Sequence, residues 1–256
     1  MFISKEDAKI IRVWNLDNWY FNRIDFKTQY LAMKEMLQAV KEPTVKFQDD
    51  YNSLQKKVES QGGNDFIAEH LNDKGYESQF WDMSYSLAAI GIIAPYIESL
   101  FTAMFADYGK YCAPEESEHD RFRNFTKYKW DPHYFAKKSD RVETDIAKGI
   151  LQLLKCTGFK DGTIAKCKKF IPAIFRYRNL MFHNGVHWPK VKREVFIKEA
   201  KGGGWYDWFL FDENSDFVYM GESFIEEILE NIIEIVEEYI DIVQPNSKQT
   251  TVPAKP

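Results

Sequence analysis

The chain has 256 residues, 45% of them apolar and 29% charged, with three cysteines and a formal net charge of −5. That length and apolar content suffice for a sizeable buried core and exclude a disordered or fibrous class. Three cysteines without a C-x-x-C pair form no disulfide framework, which fits a reducing cytoplasm, and the acidic balance argues against a dedicated duplex-DNA binder.

The first residues, Met1 to Asp7, carry charges where a signal peptide needs an apolar run. Residues 4–41 read as helical, with an aromatic-rich break near Asn15 to Asp25. Glu42-Pro43 is expected to end that pair, because proline disfavours helix in the residue before it. Thr44 to Glu59 reads as a further helix closed by Gly62-Gly63, and Asn64 as the cap of a short helix stopping at Gly75. Residues 1–75 show no catalytic pattern and are expected to form a helical extension to a main helical domain at 76–243.

Glu77 to Tyr108 is the longest helical stretch. Leu87, Ile90, Ala94, Ile97, Phe101 and Met104/Phe105 recur at three- and four-residue steps and give one wide apolar face. Pro95 should kink it. Glu98 stands out as a carboxylate among apolar neighbours, which must either find a cation or lie at the rim of a site. With Pro95 and Glu98 at its centre, the apolar run Tyr85 to Phe105 reads as a buried core helix, so no membrane partner is expected. Pro114 to Pro132 reads as a loop with a short helix around Glu118 to Phe125. Asp140 and Glu143 resemble a capping box opening a helix to about Cys156, with Thr157-Gly158 as its stop.

The next helix is expected at about 163–183, with Pro172 inside it and Gly185 ending it. Val186 to Lys201 reads as a basic loop. Trp205 to Phe211 and Phe217 to Met220 flank a polar turn, Asp212 to Asp216, and predict a β-hairpin near 205–220. The last helix opens on Ser223 with Glu226. Its stripe of Phe224, Ile228, Ile232, Ile235, Val236, Tyr239 and Val243 faces inward, beneath an acidic outer face. Residues 244–256 cannot bury anything and are expected to be disordered. The whole predicts an all-α helical bundle with a small β-hairpin before the last helix.

Charge is unevenly distributed. Lys155 to Lys201 holds twelve basic residues against three acidic ones, whereas Gly202 to Pro256 holds twelve acidic residues against two lysines. A solvated face would account for the basic run, and so would a phosphate-binding surface.

Inside that basic run lies Arg178-Asn179-Leu180-Met181-Phe182-His183. Asn179 and His183, four residues apart, share a helix face about 40° from each other, and the long stem of Arg178 reaches the same patch. A cation, an amide and an imidazole are the groups that metal-free RNA cleavage requires. A base takes the ribose 2′-OH proton, a bidentate cation stabilises the phosphorane, and an amide orients one or the other. The same residues also suit a structural pair, with the arginine capping carbonyls and the histidine satisfying a core bond. Of the eight arginines, only Arg178 has this spacing to a histidine. His183 and His187 lack a nearby Cys, Asp or Glu at ligand spacing, and Gly202-Gly203-Gly204 lacks the Lys-Ser/Thr of a phosphate loop. No metal and no cofactor are therefore expected.

Arg178-Asn179-x-x-x-His183 resembles the R-N-x-x-x-H motif of the HEPN superfamily. The resemblance extends loosely over Glu77 to Val243 and leaves residues 1–75 uncovered. It implies an all-α homodimer with a composite active site and a metal-independent endoribonuclease of toxin–antitoxin, antiphage or RNA-processing systems. It makes Arg178 and His183 the catalytic pair, with Asn179 beside them and Glu98 in a supporting place. Lys168, Lys169, Arg176, Lys190 and Lys192 would then contact RNA phosphates. An antitoxin or defence-system protein is the implied further partner. Some members carry a tyrosine two residues after the histidine, which a partner nucleotidyltransferase modifies; Gly185 stands there, so that mode of silencing is not implied. The alternative function is a non-catalytic module that binds a nucleotide or a partner protein.

Overall fold

A computed structural model of the chain describes residues 26–61, 65–113, 121–122, 127–137, 141–211 and 216–247. Its helices are α1 (Phe26–Gln61), α2 (Asp65–Tyr111), α3 (Ile146–Leu154), α4 (Asp161–Asn184), α5 (Lys190–Gly203) and α6 (Glu222–Ser247). The described residues also form two short antiparallel pairs: β1 (Tyr134–Ala136) with β2 (Val142–Thr144), and β3 (Phe209–Phe211) with β4 (Val218–Met220). The fold is all-α, with the hairpin where the alternation around Trp205 to Met220 puts it. The hairpin turn 212–215, the break expected at 15–25, Gly62-Gly63 and most of 114–126 lie outside the described residues.

Pro43 and Gly75 break the chain less than expected. α1 runs through Pro43, and α2 runs through Gly75, with Pro95 inside it as expected. A glycine costs a helix only about 1 kcal/mol and a proline about 3. Burying Met33 and Leu37 on one side of Pro43, and Met83, Ile90 and Ile93 between Gly75 and Pro95, outweighs such costs.

Three further boundaries differ. Glu143 lies in β2 and Asp140 is not described; the N-cap of α3 is Asp145, whose side chain accepts from Lys148 N at 3.0 Å. Val186 to Lys201 is not a loop throughout, since α5 occupies Lys190–Gly203 and buries Phe196 and Ala200, one turn apart. α6 begins one residue before Ser223, with Gly221 O accepting from Phe224 N, and continues through 244–247, which were expected to be disordered.

The chain divides into two compact units. The first comprises the described residues within Met1–Tyr30, Pro95–Phe175 and Glu226–Pro256. Its buried side chains include Ile97, Phe101 and Met104 of α2, Leu153 of α3, Phe170 and Ile174 of α4, and Ile228, Ile232 and Val236 of α6. Tyr239 donates its hydroxyl to Met104 O at 3.0 Å. The acidic face of α6 meets the basic start of α4: Glu238 accepts from Lys160 N and Thr163 Oγ1, and Glu234 pairs with Lys166. Part of the uneven charge is thus neutralised internally.

The second unit comprises Leu31–Ala94 and Arg176–Ile225. An aromatic cluster forms its centre. Tyr177 packs on Trp188, Phe196 and Phe209 with ring centroids 5.6, 6.0 and 4.9 Å apart, and Trp205 closes on Phe196 at 5.1 Å. Among the described residues, α2 is long and apolar enough to cross a membrane by length and composition, yet over half of its most apolar window is buried within the protein.

Candidate functional site

α4 ends as Gly185 predicts. Gly185 takes a left-handed φ of 68°, favourable for glycine, and its N–H bonds to Met181 O at 2.8 Å. The last turns of α4 present two faces. Tyr177, Leu180 and Met181 are buried, while Asn179 and His183 are exposed and Arg178 is half-buried. Tyr177 fixes this orientation by donating its hydroxyl to Val218 O at 2.7 Å. Trp188, buried beside Tyr177, donates its indole N–H back to Gly185 O at 3.1 Å and so holds the chain leaving the helix.

On the outward face, Arg178 Nε donates to Asn179 Oδ1 at 3.2 Å. The amide therefore steers the guanidinium rather than the imidazole. Phe182, next to His183, is 63% exposed, an unusual position for a large apolar ring.

The residues expected to contact phosphate differ in setting. Arg176 is held in a bidentate pair with Glu199 of α5, at 2.6 and 3.1 Å, which joins the two helices and takes up the guanidinium. Lys190 and Lys192 are exposed in the first turn of α5, where the positive end of the helix dipole adds to their charge. Lys168, exposed, and Lys169, half-buried, belong to the first unit.

Glu98 also belongs to the first unit and has its own surroundings there. Its Oε1 meets His133 Nε2 at 2.9 Å, and His133 Nδ1 meets Asp131 Oδ1 at 2.7 Å. Burial works against a charged His133, but the hydrogen bonds to Glu98 and Asp131 and the charges behind them raise its pKa overall. With a carboxylate at each ring nitrogen, the imidazole has no lone pair to offer as a base while both contacts hold. The loop carrying it is held by Arg121, which is fully buried and donates to the carbonyls of Tyr128, Lys129, Asp131 and Tyr134. Burial pushes the Arg121 guanidinium down to about 10, with Cys156 and Asp131 acting the other way, so it stays charged at neutral pH. The sequence reading singled out Glu98 but missed His133; the need of Glu98 for a cation was the available signal.

Among the described residues, no three His, Cys, Asp or Glu side chains converge as a metal-binding set. Comparison of the chain with protein-family models, with curated proteins and with solved structures finds no match in any of the three.

Proposed function

We propose that the protein is a metal-independent endoribonuclease of the HEPN type that cleaves single-stranded RNA. The observation that carries this reading is the two-faced end of α4, where Arg178, Asn179 and His183 lie together on the outward side of a helix whose other side is buried. In the proposed step His183 takes the proton of a ribose 2′-OH, the freed oxygen attacks phosphorus, and the 5′ oxygen leaves and is protonated. The products are a 2′,3′-cyclic phosphate and a 5′-hydroxyl. Arg178 stabilises the charge of the phosphorane, and Asn179 orients Arg178.

One arginine and one histidine supply a single acid–base group, so a second copy of the chain would complete the site. The exposed Phe182 beside His183 offers apolar area for that contact. Lys190 and Lys192 would hold the strand by its phosphates. A toxin–antitoxin or antiphage setting, with a restraining or defence-system partner protein, follows from the same reading.

Purified protein incubated with RNA in EDTA tests this directly. Cleavage by wild type with cyclic-phosphate ends, lost in His183→Ala, is the expected result. Intact RNA, or equal cleavage by His183→Ala, overturns it; RNA bound but uncut would point to the non-catalytic binding module.

A further inference from the structure

Within the second unit, α1, α2, the β3–β4 hairpin and the start of α6 line a half-open pocket of about 260 Å³. Its apolar lining comes from Met220, which is buried, the ring of Tyr85, and the exposed side chains of Val45 and Leu210. Most of its polar groups are already engaged. Lys41 is paired with Glu222, Thr44 donates to Trp81 O, and Gln48 accepts from Ser78 while donating to Asn52. Ser86 Oγ accepts from Met220 N at 3.1 Å.

Asp82 differs. It lines the cavity half-buried, with no hydrogen-bond or ion-pair partner among the described residues. Burial, acting alone, pushes its carboxyl above the usual range. A carboxylate that lines a pocket, partly shielded from water and without a protein donor, is free to accept donors from a ligand seated there.

The chemistry of that supplier can be read from the cavity. An ionised carboxylate accepts two parallel N–H groups in its own plane. Apolar walls suit the faces of a flat ring. The volume lies just below the usual range for ligand pockets, about 300–1,000 Å³, so it suits one heterocycle rather than a large cofactor. Guanine places a ring N–H and an exocyclic amine side by side on one edge. Adenine and cytosine set a ring acceptor beside the amine, and that lone pair would face the carboxylate.

We propose that this cavity is a guanine-recognition pocket in which Asp82 receives the N1–H and N2–H donors of the base. The pocket adjoins the motif helix through one strand. In β4, Val218 O holds the Tyr177 hydroxyl, one residue before Arg178, and Met220 two residues on forms the cavity wall. Ser86 touches both Met220 N and the Tyr177 side chain. The pocket stands without the nuclease reading, because its test reads binding and not cleavage.

Calorimetric titration of the full chain with guanosine, inosine, adenosine and agmatine is the experiment, run beside an oligouridine strand containing a single guanine. Saturable binding is expected for guanosine or for the guanine-containing strand. Binding of the free nucleoside identifies a nucleotide ligand, and binding of the strand alone identifies RNA. Inosine, which lacks the amine, should bind about ten-fold more weakly, and adenosine more weakly still. Asp82→Asn should weaken binding about ten-fold or more while its unfolding midpoint holds or rises, since a partly desolvated charge without a protein partner has been removed. Val45→Trp should block binding by filling the cavity. Absence of saturable binding by both guanosine and the strand, preference for adenosine or agmatine, or unchanged affinity in Asp82→Asn overturns the proposal.

Discussion

Tyr177 donates its hydroxyl to Val218 O at 2.7 Å, and this one bond ties the motif helix to a hairpin strand across 41 residues of sequence. The ring is fully buried among Trp188, Phe196 and Phe209, so Tyr177→Phe keeps the packing and removes only the donor. Leaving a buried carbonyl short of a partner costs about 1–3 kcal/mol. The denaturant midpoint should fall with an unchanged m-value. An unaltered midpoint would mean that the packing alone anchors the helix.

The contact from Arg178 Nε to Asn179 Oδ1 predicts a graded series. On the proposed nuclease reading, Arg178→Ala should slow single-turnover RNA cleavage by about 10²–10³-fold, the usual cost of losing one donor to a developing anion. Arg178→Lys should do little better, because an ammonium cannot make the bidentate contact. Asn179→Ala leaves the guanidinium in place but unsteered and should fall between wild type and Arg178→Ala. Both positions lie on the outward face, so stability should stay within about 0.5 kcal/mol in all three. Equal rates for Asn179→Ala and wild type would remove the steering role.

How much of this was legible in the sequence depended on how local each cause was. Every residue of the α6 stripe, from Phe224 to Val243, is buried, because a 3.6-residue period needs no distant information. α5 was misread because its charges dominate. Phe196, the residue that anchors it, finds its partners Trp205 and Phe209 only after the hairpin has folded back. Pro43 and Gly75 looked like stops because their local cost is visible and the burial outweighing it is not. At the candidate site, Arg178 and His183 were visible through their spacing. The engagement of Arg176 by Glu199 was not, nor that of Glu98 by His133, since each partner lies more than twenty residues away.

Glu199 is one such distant partner, and its removal is informative. The pair with Arg176 is well exposed on both sides, 38% and 42%, so breaking it should cost less than about 1 kcal/mol. Glu199→Gln leaves Arg176 without that counter-charge, near the C-terminal end of the helix whose first turn bears Lys190 and Lys192. Single-stranded RNA should then bind more tightly at low salt, and the slope of log affinity against log salt should steepen by about 0.7 for one added phosphate contact. An unchanged slope would place Arg176 away from the RNA path.

Gly149 in α3 tests the loop that carries His133. A Cβ built there would lie 1.8 Å from Pro132 O and 2.8 Å from Tyr134 O, both backbone atoms that cannot swing aside. Gly149→Ala must therefore displace the segment on either side of His133. The cost should be about 1–3 kcal/mol, despite the better helix propensity of alanine. A thermal-unfolding midpoint at or above wild type would show that the loop yields freely.

His133 gives a pH dependence whose sign follows from its surroundings. Burial alone would favour the neutral imidazole, but the hydrogen bonds and charges of Glu98 and Asp131 prevail, so its folded pKa lies above the ordinary 6.5. The folded state thus binds this proton more tightly than the unfolded chain does. The stabilisation is fully present below about pH 6.5 and is lost as pH rises through the higher folded value. The comparison is between wild type and His133→Gln, an uncharged side chain of similar reach. Their difference in unfolding midpoint should be largest at pH 5–6 and shrink steadily above neutrality. It should also shrink in added salt, because all three side chains are about one-third exposed. A difference independent of pH would mean that His133 contributes through packing and neutral hydrogen bonds. The Glu98–His133–Asp131 contact would then be no charged triad at all.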